Sequence, residues 1–215
     1  MIETTATFAL LGAALGAAES VPYVRDTWRR STVPHRGSWL IWSVIEVIAV
    51  ESQRADGASW SLLPLASQAV GTCAVFVLSI WLGSGGVSRL ELALMSLAGA
   101  GVVGWLVADE PMIATTCVII ADFIAAMMML PKAWRDPHSE TMSTYALASL
   151  AGMAAMGAVA TPSVPLLMYP VYFALVNAGL TLVIHRRRRA DRSVRVAPAA
   201  EEPTHRELVS PWPWS

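Results

Sequence analysis

The sequence predicts an all-α membrane protein with seven transmembrane helices. Of its 215 residues, 55% are hydrophobic and only 14% are charged, which is too little charge to coat a soluble domain of this size. Seven stretches are long and apolar enough to cross a bilayer core about 30 Å thick as helices. Almost all basic residues fall on one side of these stretches, as expected for a multi-pass protein of the plasma (inner) membrane.

The seven stretches are residues 4–24, 39–57, 60–82, 90–108, 112–130, 142–160 and 164–185. Glu46 and Glu51 interrupt the second. A secretory signal peptide begins with basic residues, whereas here Glu3 precedes the first basic residue, Arg25. We therefore expect the first stretch to remain in the protein as a helix.

The distribution of basic residues predicts the orientation. With the N-terminus outside and the C-terminus inside, fourteen of the fifteen Arg and Lys residues lie on the inner side. Arg54 is the one basic residue in an outer connection, and the outer connections carry Asp56, Asp109 and Glu110 instead.

Two segments of the chain resemble each other and predict an internal repeat. Pro22 and Pro131 each stand near the end of an apolar stretch, and each is followed by a Trp-Arg pair, a Pro-His pair and a serine, Ser38 or Ser143, that could cap the next helix. A proline within a helix frees a carbonyl one turn earlier and kinks the helix. We therefore interpret Pro22 and Pro131 as hinges.

The third and seventh stretches carry matching polar pairs. Gln68 and Thr72 lie four residues apart in one, and Asn177 and Thr181 lie four apart in the other, so each pair shares a helix face. Repeat-built transporters bind their substrates between the repeats near the bilayer midplane. These four residues are the candidate substrate-binding residues, and packing between helices is their alternative role.

The repeat divides the chain into four parts. Residues 1–82 form a first three-helix unit and residues 111–186 a second, parallel one. Residues 83–110 contain a linker and a fourth helix, which restores the direction of the chain. Residues 187–215 are polar and contain four prolines, which predicts a disordered cytoplasmic tail.

This 3+1+3 arrangement resembles the SWEET and PQ-loop family of membrane transporters over about residues 5 to 186. The resemblance is carried by Pro22 through Trp39, by the shorter copy from Pro131 to Ser143, and by Asn177-Ala178-Gly179. Tyr23 and Lys132 stand where the family has the glutamine of its Pro-Gln pair. The resemblance implies alternating access between two parallel units and a role for Asn177 in the solute pocket.

Two carboxylic acids lie near the predicted midplane, Asp122 in the fifth stretch and Glu46 in the second. Ionisable groups at this depth usually line a pathway or relay protons, and the resemblance implies that a membrane carboxylate carries protons. A structural hydrogen bond is the alternative. Glu19 lies near the inner interface, where we expect a salt bridge with Arg25 or Arg29.

The sequence argues against several classes of protein. It contains no catalytic or phosphate-binding motif, no cluster of residues at metal-ligand spacing and no cofactor motif. The net charge of −1 gives no basis for nucleic-acid binding. The expected function is therefore transport of a small polar solute, sugar-like or amino-acid-like, with the lipid bilayer as the other partner. A non-transporting receptor or assembly scaffold is the alternative, and the sequence leaves a homo-oligomer open.

Overall fold

The computed structural model describes residues 2–55, 63–108, 111–159 and 162–196. These residues form seven α-helices, which are α1 (Ile2–Trp28), α2 (Arg36–Ala55), α3 (Leu63–Leu82), α4 (Arg89–Val107), α5 (Pro111–Arg135), α6 (Met142–Gly157) and α7 (Val164–Val196). A short 3-10 helix, Pro137–Ser139, precedes α6. The predicted all-α fold is confirmed.

Four of the described helices are long and apolar enough to cross a membrane, namely α1, α4, α5 and α7. Helix α3 contributes a shorter apolar segment, Ala66–Leu82. Large apolar side chains are exposed on every helix, as lipid-facing surfaces require; examples are Leu10, Val47, Val70, Leu106, Ile113, Leu150 and Leu175. The chain is consistent with a membrane protein of several spans.

Three helices are longer than predicted. Helix α1 continues through Pro22 to Trp28, and α5 continues through Pro131 to Arg135, so both prolines lie inside helices rather than at their ends. Helix α7 extends to Val196. Helix α7 therefore includes residues 187–196, the first part of the predicted tail, whereas residues 197–215 lie outside the described ranges, as do Asp56, Asp109 and Glu110.

The serines predicted to cap α2 and α6 lie within these helices instead. Helix α2 begins at Arg36, before Ser38, and the Nδ1 atom of His35 accepts a hydrogen bond from the Ser38 amide at 3.2 Å. His35 thus performs the capping role at this position. Helix α6 begins at Met142, before Ser143.

Six helices pack in a closed ring. Helix α3 packs between α1 and α2, and α7 packs between α5 and α6. Helix α1 also contacts α6, and α2 contacts α5, so the ring runs α1–α3–α2–α5–α7–α6. Helix α4 lies outside it, against α5 and α2. The ring therefore places the first three helices opposite the last three.

Small residues bring neighbouring helices into close contact within each half of the ring. A Cβ added to Gly71 of α3 would lie 2.4 Å from the Cβ of Ser20 in α1. A Cβ added to Gly152 of α6 would lie 2.8 Å from the backbone nitrogen of Ala174 in α7. Both contacts follow the rule that small residues let membrane helices approach closely.

The α1–α2, α3–α4 and α5–α6 connections meet at one end of the bundle, which we call the inner end. The Val33 amide donates to the Ser139 carbonyl at 2.9 Å, and the Ser84 amide donates to the Pro34 carbonyl at 2.9 Å. Because alternate connections lie together, consecutive helices run in opposite directions.

The start of α4 is fixed to the α1–α2 connection by His35, whose Nε2 lies 2.8 Å from Glu91 Oε1. Gly85 lies beside this pair with a φ of +70°, and a Cβ there would lie 2.3 Å from His35 Nε2. Only glycine fits this position. The linker before α4 is thus ordered by a specific polar contact.

Candidate functional site

A cavity of about 600 Å³ lies inside the ring, and all seven helices contribute to its lining. The lining begins near the outer end of the bundle, at Phe8 of α1 and at Ala158 beyond the end of α6, and it reaches inward to Glu46 and Gln68. Small residues of α1 (Gly12, Ala13 and Gly16) make room for it. Its volume falls in the range of small-molecule sites.

A second, narrower cavity of about 50 Å³ continues toward the inner end. It shares Glu46, Gln68 and Phe173 with the wider cavity. The remaining polar side chains of its lining come from both halves of the ring; they are Glu19, Ser20, Thr72, Asp122, Thr144, Tyr145 and Asn177, together with Trp39 and Trp42.

The structure places three of the four predicted substrate-binding residues in these linings. Gln68 lines both cavities, whereas Thr72 and Asn177 line the narrow one. The Asn177 amide nitrogen donates to the Phe173 carbonyl of its own helix at 2.9 Å. Thr181 lines neither cavity, because it lies a further turn inward and its hydroxyl donates to the Asn177 carbonyl at 2.8 Å.

Glu19 is a site residue that the sequence analysis misplaced. The side chain is only 6% exposed and accepts a hydrogen bond from Gln68 Nε2 at 2.8 Å. The predicted salt bridge with Arg25 or Arg29 is wrong, since Arg25 pairs with Asp26 at 2.9 Å. Glu19 lies one turn deeper than Tyr23, on the face of α1 that lines the narrow cavity.

Both predicted midplane carboxylic acids line the narrow cavity. Asp122 accepts a hydrogen bond from the Tyr172 hydroxyl at 2.5 Å. Glu46 and Glu19 line the same narrow cavity as Asp122. The ring therefore brings together three carboxyl groups from α1, α2 and α5, which the sequence separates by 27 to 103 positions.

Two oxygen atoms of this group have no hydrogen-bond partner among the described residues. They are Oε2 of Glu19 and Oε2 of Glu46, and both are buried. Buried polar atoms are normally paired. An unpaired carboxyl oxygen beside a cavity is therefore placed to bind a proton or a ligand.

A buried polar cluster of Tyr23, Lys132, Glu140 and Tyr145, which we call the inner latch, adjoins the narrow cavity through Tyr145. Tyr23 donates to Glu140 Oε2 at 2.8 Å, and Tyr145 donates to the same oxygen at 2.9 Å. Lys132 forms an ion pair with Glu140 Oε1. The ring of Tyr23 also packs against Trp39, with 4.6 Å between the ring centroids.

Two of the four latch residues directly follow the two predicted hinge prolines. Tyr23 comes after Pro22 in α1, and Lys132 comes after Pro131 in α5. A second contact joins the same segments, because the Thr32 and Thr141 hydroxyls lie 2.7 Å apart. The two prolines and the inner latch are thus adjacent in the structure.

The aromatic residues of α7 are a second group that the sequence analysis missed. Tyr169 and Phe173 line the wider cavity, and Tyr172 binds Asp122. Tyr169, Tyr172 and Phe173 recur at i, i+3 and i+4, and Asn177 lies one further turn along the same face. The sequence contains this signal, because counting back from Asn177 at helical spacing along the same face reaches these aromatic residues.

The described part of the chain contains no group of three or more His, Cys, Asp or Glu residues placed to hold a metal ion. No protein family, curated protein or solved structure matches the chain at a significant level.

Proposed function

We propose that this chain is a transporter of a small polar solute in the plasma (inner) membrane, working by alternating access between two parallel three-helix units of SWEET-like topology. All seven helices cross the membrane in this proposal, with the N-terminus outside. The observation that carries the proposal is a cavity between two halves of a helix ring, latched at one end by contacts between those halves.

The packing order of the helices supports the repeat. The third helix of each unit packs between the first and second, as α3 does in one half and α7 in the other. The contact of α1 with α6 has its counterpart in the contact of α5 with α2. Such a pair of equivalent contacts is expected for two parallel units related by a two-fold axis along the membrane normal.

The polar lining supports transport over a scaffold role. A scaffold would pack Gln68, Asn177, Asp122 and Glu46 against one another without a cavity, whereas all four line one. Two contacts hold these groups in place, Gln68 with Glu19 and Asp122 with Tyr172. The amides of Asn177 and Gln68 can recognise a solute, and Asp122 can carry a proton.

Uptake into proteoliposomes tests the proposal. Purified full-length protein is reconstituted, and radiolabelled sugars, amino acids and amines are assayed for uptake and exchange against protein-free vesicles. We expect saturable exchange of at least one solute that is competed by unlabelled solute. Uptake equal to that of protein-free vesicles across the whole panel would contradict a transport function.

A further inference from the structure

The cavity linings contain three carboxyl groups and no basic side chain among the described residues. The carboxyl groups are those of Glu19, Glu46 and Asp122. A buried charge is costly unless it is paired. Gln68 and Tyr172 each satisfy one carboxyl group, but Glu19 Oε2 and Glu46 Oε2 remain without a partner.

The wider cavity complements these carboxyl groups with aromatic surface. Phe8, Trp105, Tyr169 and Phe173 line it at the level of Glu46 and outward from it. Aromatic faces attract cations, most strongly where water is excluded. Aliphatic side chains and glycines make up most of the remaining lining, so an apolar body also fits.

The wider cavity, where the body of a solute fits, offers little to a sugar or a zwitterion. A sugar presents many hydroxyl groups and requires a comparable number of polar partners, whereas the polar side chains of the wider cavity are Glu46, Gln68, Thr115 and Tyr169. A zwitterion also requires a cationic partner for its carboxylate. A metal ion would require a cluster of ligands, and the described residues contain none.

We propose that the solute of this cavity is an organic cation, a primary or quaternary amine with an aromatic or aliphatic body. Its ammonium group lies between Glu46 and Glu19, and its apolar part lies against Phe173, Tyr169 and Trp105. The inference rests on the proposed transport function and narrows the solute to one chemical class. Asp122, which is bonded to Tyr172, is left free to exchange a proton as the cation binds and leaves.

Binding to the full-length protein in detergent tests the charge requirement. The probes are tryptamine, a cation, and tryptophol, which has the same ring with a hydroxyl in place of the ammonium group. Isothermal titration calorimetry is expected to show tryptamine binding at least about tenfold more tightly than tryptophol, because the buried carboxylates pair only with the cation. Equal or tighter binding of tryptophol, or no binding of tryptamine, overturns the inference.

Three variants locate the site. Glu46→Gln and Glu19→Gln keep the size of the side chain and remove its charge, and each is expected to weaken tryptamine binding at least about tenfold. Asp136→Asn removes an equal charge from an exposed position outside both linings and is expected to leave binding unchanged. If both glutamine variants bind tryptamine with wild-type affinity, the placement of the ammonium group between Glu46 and Glu19 is wrong. If one variant aggregates, the other and the two probes still decide the question.

Exchange across proteoliposomes separates this inference from the proposed function. Trimethyltryptammonium is the probe, since its permanent charge prevents passage through the bilayer. Binding together with exchange supports both claims. Binding without exchange supports the cation site and contradicts transport, whereas exchange of a sugar or amino acid without binding of either amine supports transport and overturns the cation site.

Discussion

The hydroxyl of Tyr23 donates a 2.8 Å hydrogen bond to Glu140, which lies 117 residues away in the opposite half of the helix ring. Glu140 also binds Tyr145 and Lys132, but these residues belong to its own half. The Tyr23 bond is therefore the contact through which this buried carboxylate joins the two halves. In the proposed transport cycle, this bond beside Pro22 breaks when the inner end opens.

Tyr23→Phe is expected to loosen the inner end. A hydrogen bond to a charged group contributes about 1.5–3 kcal/mol, so its loss shifts the population toward a state with the halves apart. Spin labels at the exposed positions Arg29 and Asp136 would then show a larger fraction of long inter-label distances in pulsed electron–electron double resonance. Tyr145→Phe is the matched control, since it removes a bond of 2.9 Å to the same oxygen within one half. Equal distance distributions in both variants would contradict the latch.

Asn177→Leu is expected to abolish solute binding while the protein stays folded. The substitution removes one hydrogen bond within the same helix, to Phe173, and takes the amide group out of the lining of the narrow cavity. Ser149→Ala is the comparison, because Ser149 donates to the Ala174 carbonyl between α6 and α7 at 3.0 Å and lines neither cavity. It should lower the melting temperature and retain binding. Gel filtration and thermal unfolding measure the folding of both variants, and calorimetry measures their solute binding. If Asn177→Leu unfolds or is destabilised while it still binds the solute, Asn177 has a packing role.

Asp122→Asn is expected to remove the pH-gradient dependence of transport while solute exchange remains measurable. Tyr172 of α7 donates to this carboxyl, and Trp42 and Glu46 of α2 and Glu19 of α1 line the same narrow cavity; none of these groups is basic. In the proposed cycle, Asp122 takes up a proton from one side and releases it to the other as the halves move. The measurement is uptake with and without an imposed pH gradient. Equal wild-type rates under both conditions would leave a passive facilitator.

Gly71→Ala is expected to destabilise the fold by about 1–3 kcal/mol, the usual cost of overpacking. The new Cβ would lie 2.4 Å from the Ser20 Cβ, whereas the Ser20 Cα lies 3.9 Å away. The double variant with Ser20→Gly should therefore recover most of the loss. Gly99→Ala in α4 is the control, since nothing lies within 4 Å of its added Cβ. Thermal unfolding in detergent gives the comparison, and equal losses at Gly71 and Gly99 would contradict the close packing of α1 and α3.

The helices were predictable because apolar stretches of this length have few alternatives in a chain with so little charge. Their ends were less so. The apolar pattern stops near Pro22 and Pro131, but both helices continue past these residues, because membrane helices tolerate proline where neighbouring groups satisfy the backbone. Helix α7 extends to Val196 through a polar segment that the sequence pattern assigned to a tail.

The site was partly predictable. Gln68, Asn177, Asp122 and Glu46 were identified because polar groups are rare at midplane depth. Nothing in the sequence indicated that Glu19 turns toward Gln68 rather than toward Arg25, since both partners are within reach of an extended side chain. The packing of α3 against α1 decides between them, and such long-range packing is not encoded in local spacing.

The accessibility of a cysteine in the narrow cavity tests alternating access most directly. Thr144→Cys places a thiol on a side chain that is 5% exposed, lines this cavity and has no hydrogen bond from its hydroxyl to lose. In a background without Cys73 and Cys117, a membrane-impermeant reagent is applied from each side of reconstituted vesicles. The account predicts slow labelling from both sides in the protein with Tyr23. Adding Tyr23→Phe is expected to speed labelling from the inner side and to slow labelling from the outer side. Labelling from one side only, unchanged by Tyr23→Phe, would contradict it.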